Sequence, residues 1–217
     1  MIITMDGPAG AGKSSVARAL ARRVGFRFLD TGAMYRAVAL AGLRAGVDWS
    51  RPDALARLAE KLHIEVDGDR TLLDGEDVTA AVRHPDVTAA TRYAADNARV
   101  RDRLVALQRR LAAGEDVVTE GRDQGTVAFP DAQLKIFLTA SPEERARRRL
   151  RDLERQGERA SFDEVLAQQA QRDREDAARP VGTLRRAPDA VEVDTDGMPF
   201  DAVVDRLVEL VNARRQT

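Results

Sequence analysis

Cysteine is absent from the 217 residues, so no disulfide, thiolate metal site or cysteine nucleophile can form, and a reducing compartment is compatible with the chain. No apolar run approaches the length of a membrane span, and no basic segment leads into an apolar one at the start. A soluble, cytoplasmic protein is expected. Neither sign of charge dominates. With 35 basic and 36 acidic residues the net charge is −1, which leaves no global field to draw in nucleic acid or an anionic membrane. Lysine is scarce, at positions 13, 61 and 135 only; the arginine bias this implies is a common product of genomic composition and identifies nothing by itself. There is no proline- or glycine-rich linker, internal repeat or low-complexity tract. Hydrophobic residues at 43% suffice for one core, so residues 1–217 are expected to form a single domain with subregions, acting as a monomer.

Against those absences, Gly7-Pro8-Ala9-Gly10-Ala11-Gly12-Lys13-Ser14 stands out as a complete G-x-x-x-x-G-K-S phosphate-binding loop. It follows the apolar run Met1 to Met5 and precedes a helical pattern from Lys13 to Val24. Strand, loop and helix are the context the motif requires. Glycines let backbone N–H groups close around phosphate oxygens, and the helix N-terminus adds partial positive charge. Lys13, in a loop expected to be exposed, brings a full charge to the β- and γ-phosphates of ATP. Ser14 is the expected Mg²⁺ ligand, with Ser15 beside it. The alternative is a glycine-rich β-to-α turn with an incidental lysine.

Five apolar segments read as strands: Ile2 to Met5, Phe26 to Leu29, Asp116 to Thr119, Leu134 to Leu138 and Ala190 to Val193. Helical patterns separate them, which predicts an α/β fold with a parallel sheet between helices. The interval from 31 to 113 holds helices near Ala33 to Ala45, Pro52 to Leu62, Asp86 to Asn97 and Arg99 to Ala113. Within it, His63 to Val66 and Thr71 to Leu73 flank Asp67-Gly68-Asp69, a hairpin pattern. Ser141-Pro142-Glu143-Glu144 reads as a capping box launching an arginine-studded helix that breaks at Gln156-Gly157-Glu158-Arg159. Those arginines have no evident carboxylate partners in the sequence. Residues of about 145–160 therefore read either as a lid over a nucleotide or as a solvated helix face.

Three further clusters carry polar chemistry. Asp30-Thr31-Gly32-Ala33-Met34-Tyr35-Arg36 sits at a strand C-terminus, where open α/β sheets hold ligands. Arg36 can fork onto a phosphate, while Tyr35 suits core packing as well as ligand contact. Glu120-Gly121-Arg122-Asp123-Gln124-Gly125-Thr126 follows the third strand and has the composition of a ligand-holding loop. Arg172, Asp176 and Arg179 fall at i, i+4 and i+7 of a helix, either as part of a site or as a surface ion-pair ladder. No Asn-Lys-x-Asp segment is present, which removes the guanine-reading element of GTPases.

The segments GPAGAGKSS, DTGAMYRA, EGRDQGTVAFP and RDREDAAR, in this order and spacing, resemble the bacterial cytidylate kinases, from Ile3 to about Arg214. The resemblance implies a P-loop nucleoside monophosphate kinase: a five-stranded parallel core, a monophosphate-binding subregion of about 31–113 and an arginine-rich lid. It implies transfer of the γ-phosphoryl group of ATP to CMP or dCMP with Mg²⁺, these small molecules being the partners. Arg36, Arg122 and Arg179 would hold the CMP phosphate. Asp176 would hold the ribose hydroxyls with Thr31, with Arg172 either assisting there or facing the transferring phosphoryl group, and Tyr35 would lie alongside; Arg101 and Asp123 would read cytosine. Lys13, Arg122 and Arg172 would carry catalysis. A carboxylate can accept from the cytosine amino group and repels the uracil O4 oxygen, which agrees with that base assignment. Two departures stand out: family members often place a base-binding serine where this chain has Arg92, beside Thr91, and Glu120 replaces the aspartate of some relatives. The rival readings are another P-loop kinase, acting on UMP, AMP or shikimate, and a regulatory nucleotide-binding ATPase.

Overall fold

The computed structural model describes residues 1–155 and 157–216. Five parallel strands form the main sheet: β1 (Ile2–Asp6), β2 (Arg27–Asp30), β6 (Val117–Gly121), β7 (Leu134–Thr139) and β8 (Val191–Asp194), in the order β2-β6-β1-β7-β8. Each expected strand is present within two residues of its expected bounds. β1 lies at the centre, and Ile3, Thr4 and Met5 are each fully buried, as a strand covered on both faces must be.

Alternation along the strands sorts side chains into two cores. Phe28, Val118, Ile136 and Leu138 join Ile3 and Met5 against α1 (Lys13–Val24) and α8 (Phe200–Arg215). Their neighbours Leu29 and Val117 join the opposite layer, built from α2 (Thr31–Arg44), α3 (Pro52–Lys61), α4 (Pro85–Ala95) and α5 (Ala98–Ala112). α2 starts earlier than its apolar pattern suggests because the Asp30 side chain caps it, accepting from the Ala33 N–H at 2.8 Å.

The expected hairpin exists as β3 (Ile64–Asp67) and β4 (Arg70–Leu73), with Asp67 paired to Arg70 across the turn. A third strand, β5 (Glu76–Asp77), extends it into an antiparallel sheet, β3-β4-β5. The sequence reading missed β5. Its signal is the dipeptide Asp74-Gly75, with φ of 51° and 85°, a turn that pairs Leu73 with Glu76.

Two expectations in the arginine-rich region need correction. Ser141 caps α6 (Pro142–Arg155) through its hydroxyl, but its own N–H goes to Asp196 at 2.8 Å. Glu144 instead pairs with Arg147, Arg148 and Arg151, so the box is only half closed. The complete capping box is Ser161 with Glu164, at the start of α7 (Phe162–Ala178). The arginines also have partners: Arg145 is buried and forked onto Asp173, and Arg148 reaches Glu144 and Thr195. Gln156, assigned to the helix break, lies outside the described residues. Together α6 and α7 enclose a small core of their own, Ala146, Leu153 and Val165.

Candidate active site

The phosphate loop bridges β1 and α1 in a shape few side chains would permit. Gly7 has φ of 152°, and a Cβ there would overlap the Leu138 carbonyl oxygen. Gly12, at φ 87°, turns the chain into α1. The loop is held from outside as well: the Ala9 carbonyl accepts from Arg145 at 2.9 Å and from Gln169 at 3.0 Å. Ala9, Gly10, Gly12, Lys13, Ser14 and Ser15 line the cleft. Gly7, Pro8 and Ala11 complete the turn without lining the cleft.

Lys13 is not exposed as expected but 5% accessible, with its ammonium donating to the Pro8 carbonyl at 2.8 Å. Burial, and then the neighbouring Arg122 charge, push its pKa down to about 7. Ser14 donates from Oγ to Glu120 Oε1 at 3.0 Å, so a hydroxyl and a carboxylate of the kinds magnesium and its waters favour stand side by side next to the loop.

The cleft encloses about 760 Å³ and gathers all four sequence segments. Several of its cations are paired with carboxylates. Arg36 pairs with Asp30 at 3.3 Å. Arg122 pairs with Asp176 at 2.9 Å and Arg179 with the same carboxylate at 3.0 Å. Asp176 is 3% exposed, which excludes the surface-ladder reading; burial raises its pKa, but Arg122, Arg179 and Arg172 more than offset this and hold it below the usual range. Arg179 is not on the helix as expected, since α7 ends at Ala178 and Arg179 follows as its cap. Arg172 lines the cleft from α7.

At the other end of the cleft Arg101, from α5, makes a buried ion pair with Asp123. Burial raises the Asp123 pKa, and Arg101 opposes that shift. Tyr35 satisfies both of its readings: it packs against the helical core and lines the cleft, its ring centroid 5.7 Å from the Arg101 guanidinium. Burial pushes the Tyr35 phenol up to about 12. The Thr31 hydroxyl donates to the Glu120 carbonyl at 2.7 Å, leaving it only an acceptor role toward a ligand. Thr91 likewise donates to Val87 at 2.7 Å. Arg92 lies 4.8 Å over the Tyr93 ring and lines the cleft.

Several roles at the site escaped the sequence reading. Arg145 and Gln169, which grip the loop, lie on α6 and α7, too far along the chain for any local pattern to flag. Asp6 stands one residue before the motif at a strand end, a position that could have drawn attention. Gln124, which lines the cleft, donates to the fully buried Gln108 at 3.3 Å.

Comparison with known proteins agrees with this architecture. The cytidylate kinase family model matches residues 3–213. The cytidylate kinase of Rhodopirellula baltica is 55% identical, over 97% of this chain and 92% of that protein. That of Pelotomaculum thermopropionicum is 49% identical, over 99% and 97%. A solved protein from Eubacterium ventriosum, described as uncharacterized, shares the fold at a TM-score of 0.52 and 12% identity, over 98% of both chains. Identity of this order along nearly the whole length, on a cleft built from the same four segments, means that the chain belongs to the cytidylate kinase family.

Proposed function

We propose that the protein transfers the γ-phosphoryl group of ATP to CMP or dCMP, giving ADP and CDP or dCDP. The observation that carries the choice of base is the buried Asp123–Arg101 pair, set in the same cleft as the phosphate loop. An acceptor and a donor fixed side by side match the amino group and the ring acceptors of cytosine. The nucleophile is already an anionic phosphate oxygen, so no general base is needed, and rate comes from alignment and charge neutralisation. Loop N–H groups and Lys13 hold the ATP phosphates, while Arg36, Arg122 and Arg179 take the CMP phosphate. As that phosphate draws Arg122 and Arg179 away from Asp176, the carboxylate becomes free to accept from the ribose hydroxyls. Arg172 neutralises the group in flight. Magnesium, held by Ser14, by water ordered on Glu120 and mainly by the phosphates, would supply charge neutralisation between the β- and γ-phosphates. A coupled ADP-release assay across CMP, dCMP, UMP, AMP and GMP tests the reading; preference for any base other than cytosine overturns it.

Residues 31–113 serve in this scheme as the monophosphate-binding subregion, and the outer part of α6 with the turn to α7 as a lid. Arg145 and Arg148 are tied to the loop and to Thr195, so they act as its hinge rather than as part of the moving piece. The small separate core of the α6–α7 pair supports movement as a unit. Amides of residues 149–155 and 157–160 are expected to exchange fast in the free protein and slowly with a bisubstrate analogue bound. Equal protection in both states would leave them an ordinary solvated helix end.

A further inference from the structure

Asp6 closes β1 one residue before the phosphate loop and is only 3% exposed. Its two oxygens accept from two successive backbone N–H groups of the adjacent loop: Oδ1 from Gln124 and Oδ2 from Gly125, each at 2.8 Å. A carboxylate so deeply buried is tolerable only with such partners. The two amides belong to the residues directly after Asp123. The fit is close: a Cβ on Gly125 would lie 2.9 Å from Thr4 Oγ1, nearer than real Cβ atoms come, so a side chain there would have to shift the loop or β1.

A second tether reinforces the first. The Gln124 side chain accepts from Thr119 Oγ1 at 2.9 Å and donates to Gln108 Oε1 at 3.3 Å. Gln108 is fully buried on α5, seven residues after Arg101 and so on the same helix face. Both members of the Arg101–Asp123 pair are thus hung from one buried polar frame, with Asp6 at its anchor point. Side-chain torsions aim a carboxylate only as well as its backbone is fixed, and a displacement of the order of an ångström is enough to degrade a directional contact.

We propose that Asp6 is a positioning residue: it touches no substrate, fixes the backbone that presents Asp123, and thereby sets discrimination between cytosine and uracil. The selectivity part rests on the CMP kinase reading; the tethering part does not. Asp6→Asn keeps the shape but replaces one acceptor with an amide NH₂ group facing a backbone N–H, so the fork must break on one side. In the free protein, exchange of the Gln124 and Gly125 amides should be at least about tenfold faster in Asp6→Asn than in wild type, as expected for loss of one charge-assisted bond. The CMP to UMP ratio of kcat/KM should fall by roughly tenfold while KM for ATP moves less than about twofold. If Asp6→Asn does not fold, Gly125→Ala, which wedges the same loop away from Asp6, is read in its place. Unchanged amide exchange overturns the tether. Faster exchange with an unchanged CMP to UMP ratio, or equal rises in KM for ATP and CMP, reduces Asp6 to a merely structural carboxylate and overturns the positioning role. A wild-type enzyme that ignores CMP would sink the proposed reaction instead; the amide arm would still decide the tether, and selectivity would be read on whichever monophosphate it accepts.

Discussion

Lys13→Ala is expected to lose about a thousandfold in kcat, the scale set by single contacts to developing phosphoryl or oxyanion charge. The loss should not come from unfolding. Lys13 is buried, but what the substitution removes is a poorly solvated ammonium whose one bond is to the Pro8 carbonyl; a change in Tm within about 4 °C, some 1 kcal/mol for a chain this size, is expected. Retention of more than about a tenth of wild-type kcat would overturn the role, since each tenfold is only ~1.4 kcal/mol of barrier. The same residue should leave a proton signature. With its pKa pushed down to about 7, roughly a tenth of Lys13 is charged at pH 8 in the free enzyme. Arriving phosphates favour the ammonium and raise that pKa, so nucleotide binding at pH 8 should take up more than about half a proton, and clearly less at pH 6. Calorimetry in buffers of different ionisation enthalpy reads this uptake, and Lys13→Ala should abolish it.

Asp123→Asn should shift the CMP to UMP ratio of kcat/KM by about ten- to a hundredfold toward UMP, because exchanging a charge-assisted contact for a neutral one is worth roughly 1 to 3 kcal/mol. An amide accepts more weakly from the cytosine amino group and can donate to uracil O4. The substitution also leaves Arg101 without its buried partner, so some loss of stability is expected alongside, and the ratio rather than the absolute rate is the informative quantity. Arg122→Ala, one residue away, should weaken both monophosphates alike, since a phosphate contact is blind to the base. Equal losses of CMP and UMP in Asp123→Asn would leave the carboxylate as a holder of Arg101 and nothing more.

Where function demands a residue at a fixed offset within one segment, the sequence was legible. The phosphate loop, the Asp30-to-Arg36 turn and the Glu120 loop all fall in one cleft because each follows the C-terminal end of a parallel strand, and the strands were readable as apolar runs. Spacing put Arg172, Asp176 and Arg179 on one helix face, but Asp176 also pairs with Arg122, which lies 54 residues away. That kind of pairing has no periodicity to betray it. The same holds for Arg145: a dense arginine run looked unpaired because its carboxylate, Asp173, sits on the next helix. Lys13 was misjudged as exposed for a related reason. A loop is polar and superficial when seen alone, but the Lys13 ammonium folds back onto the Pro8 carbonyl of its own loop, among Asp6, Glu120, Arg122 and Arg172 from other elements. β5 went unseen because two residues are too few for alternation to show, although its Asp-Gly turn was visible.

The pairing of Arg36, Arg101, Arg122 and Arg179 with carboxylates before any nucleotide arrives bears on how CMP is captured. A bare arginine cleft would project a strong positive potential, pull anions in at steered rates and lose them steeply as salt rises. Here the fields of these four guanidiniums are damped at short range, those of Arg122 and Arg179 by the Asp176 carboxylate they share, so less of them reaches the solvent. Arrival of CMP should therefore be slower and less sensitive to ionic strength than for a bare arginine cleft, and a wrong monophosphate should enter about as readily as the right one. Discrimination falls to the swap of partners inside, where a ligand that cannot complete the exchange leaves the arginines to reclaim their own carboxylates; the enzyme's preference is written in residence times, not in encounter rates.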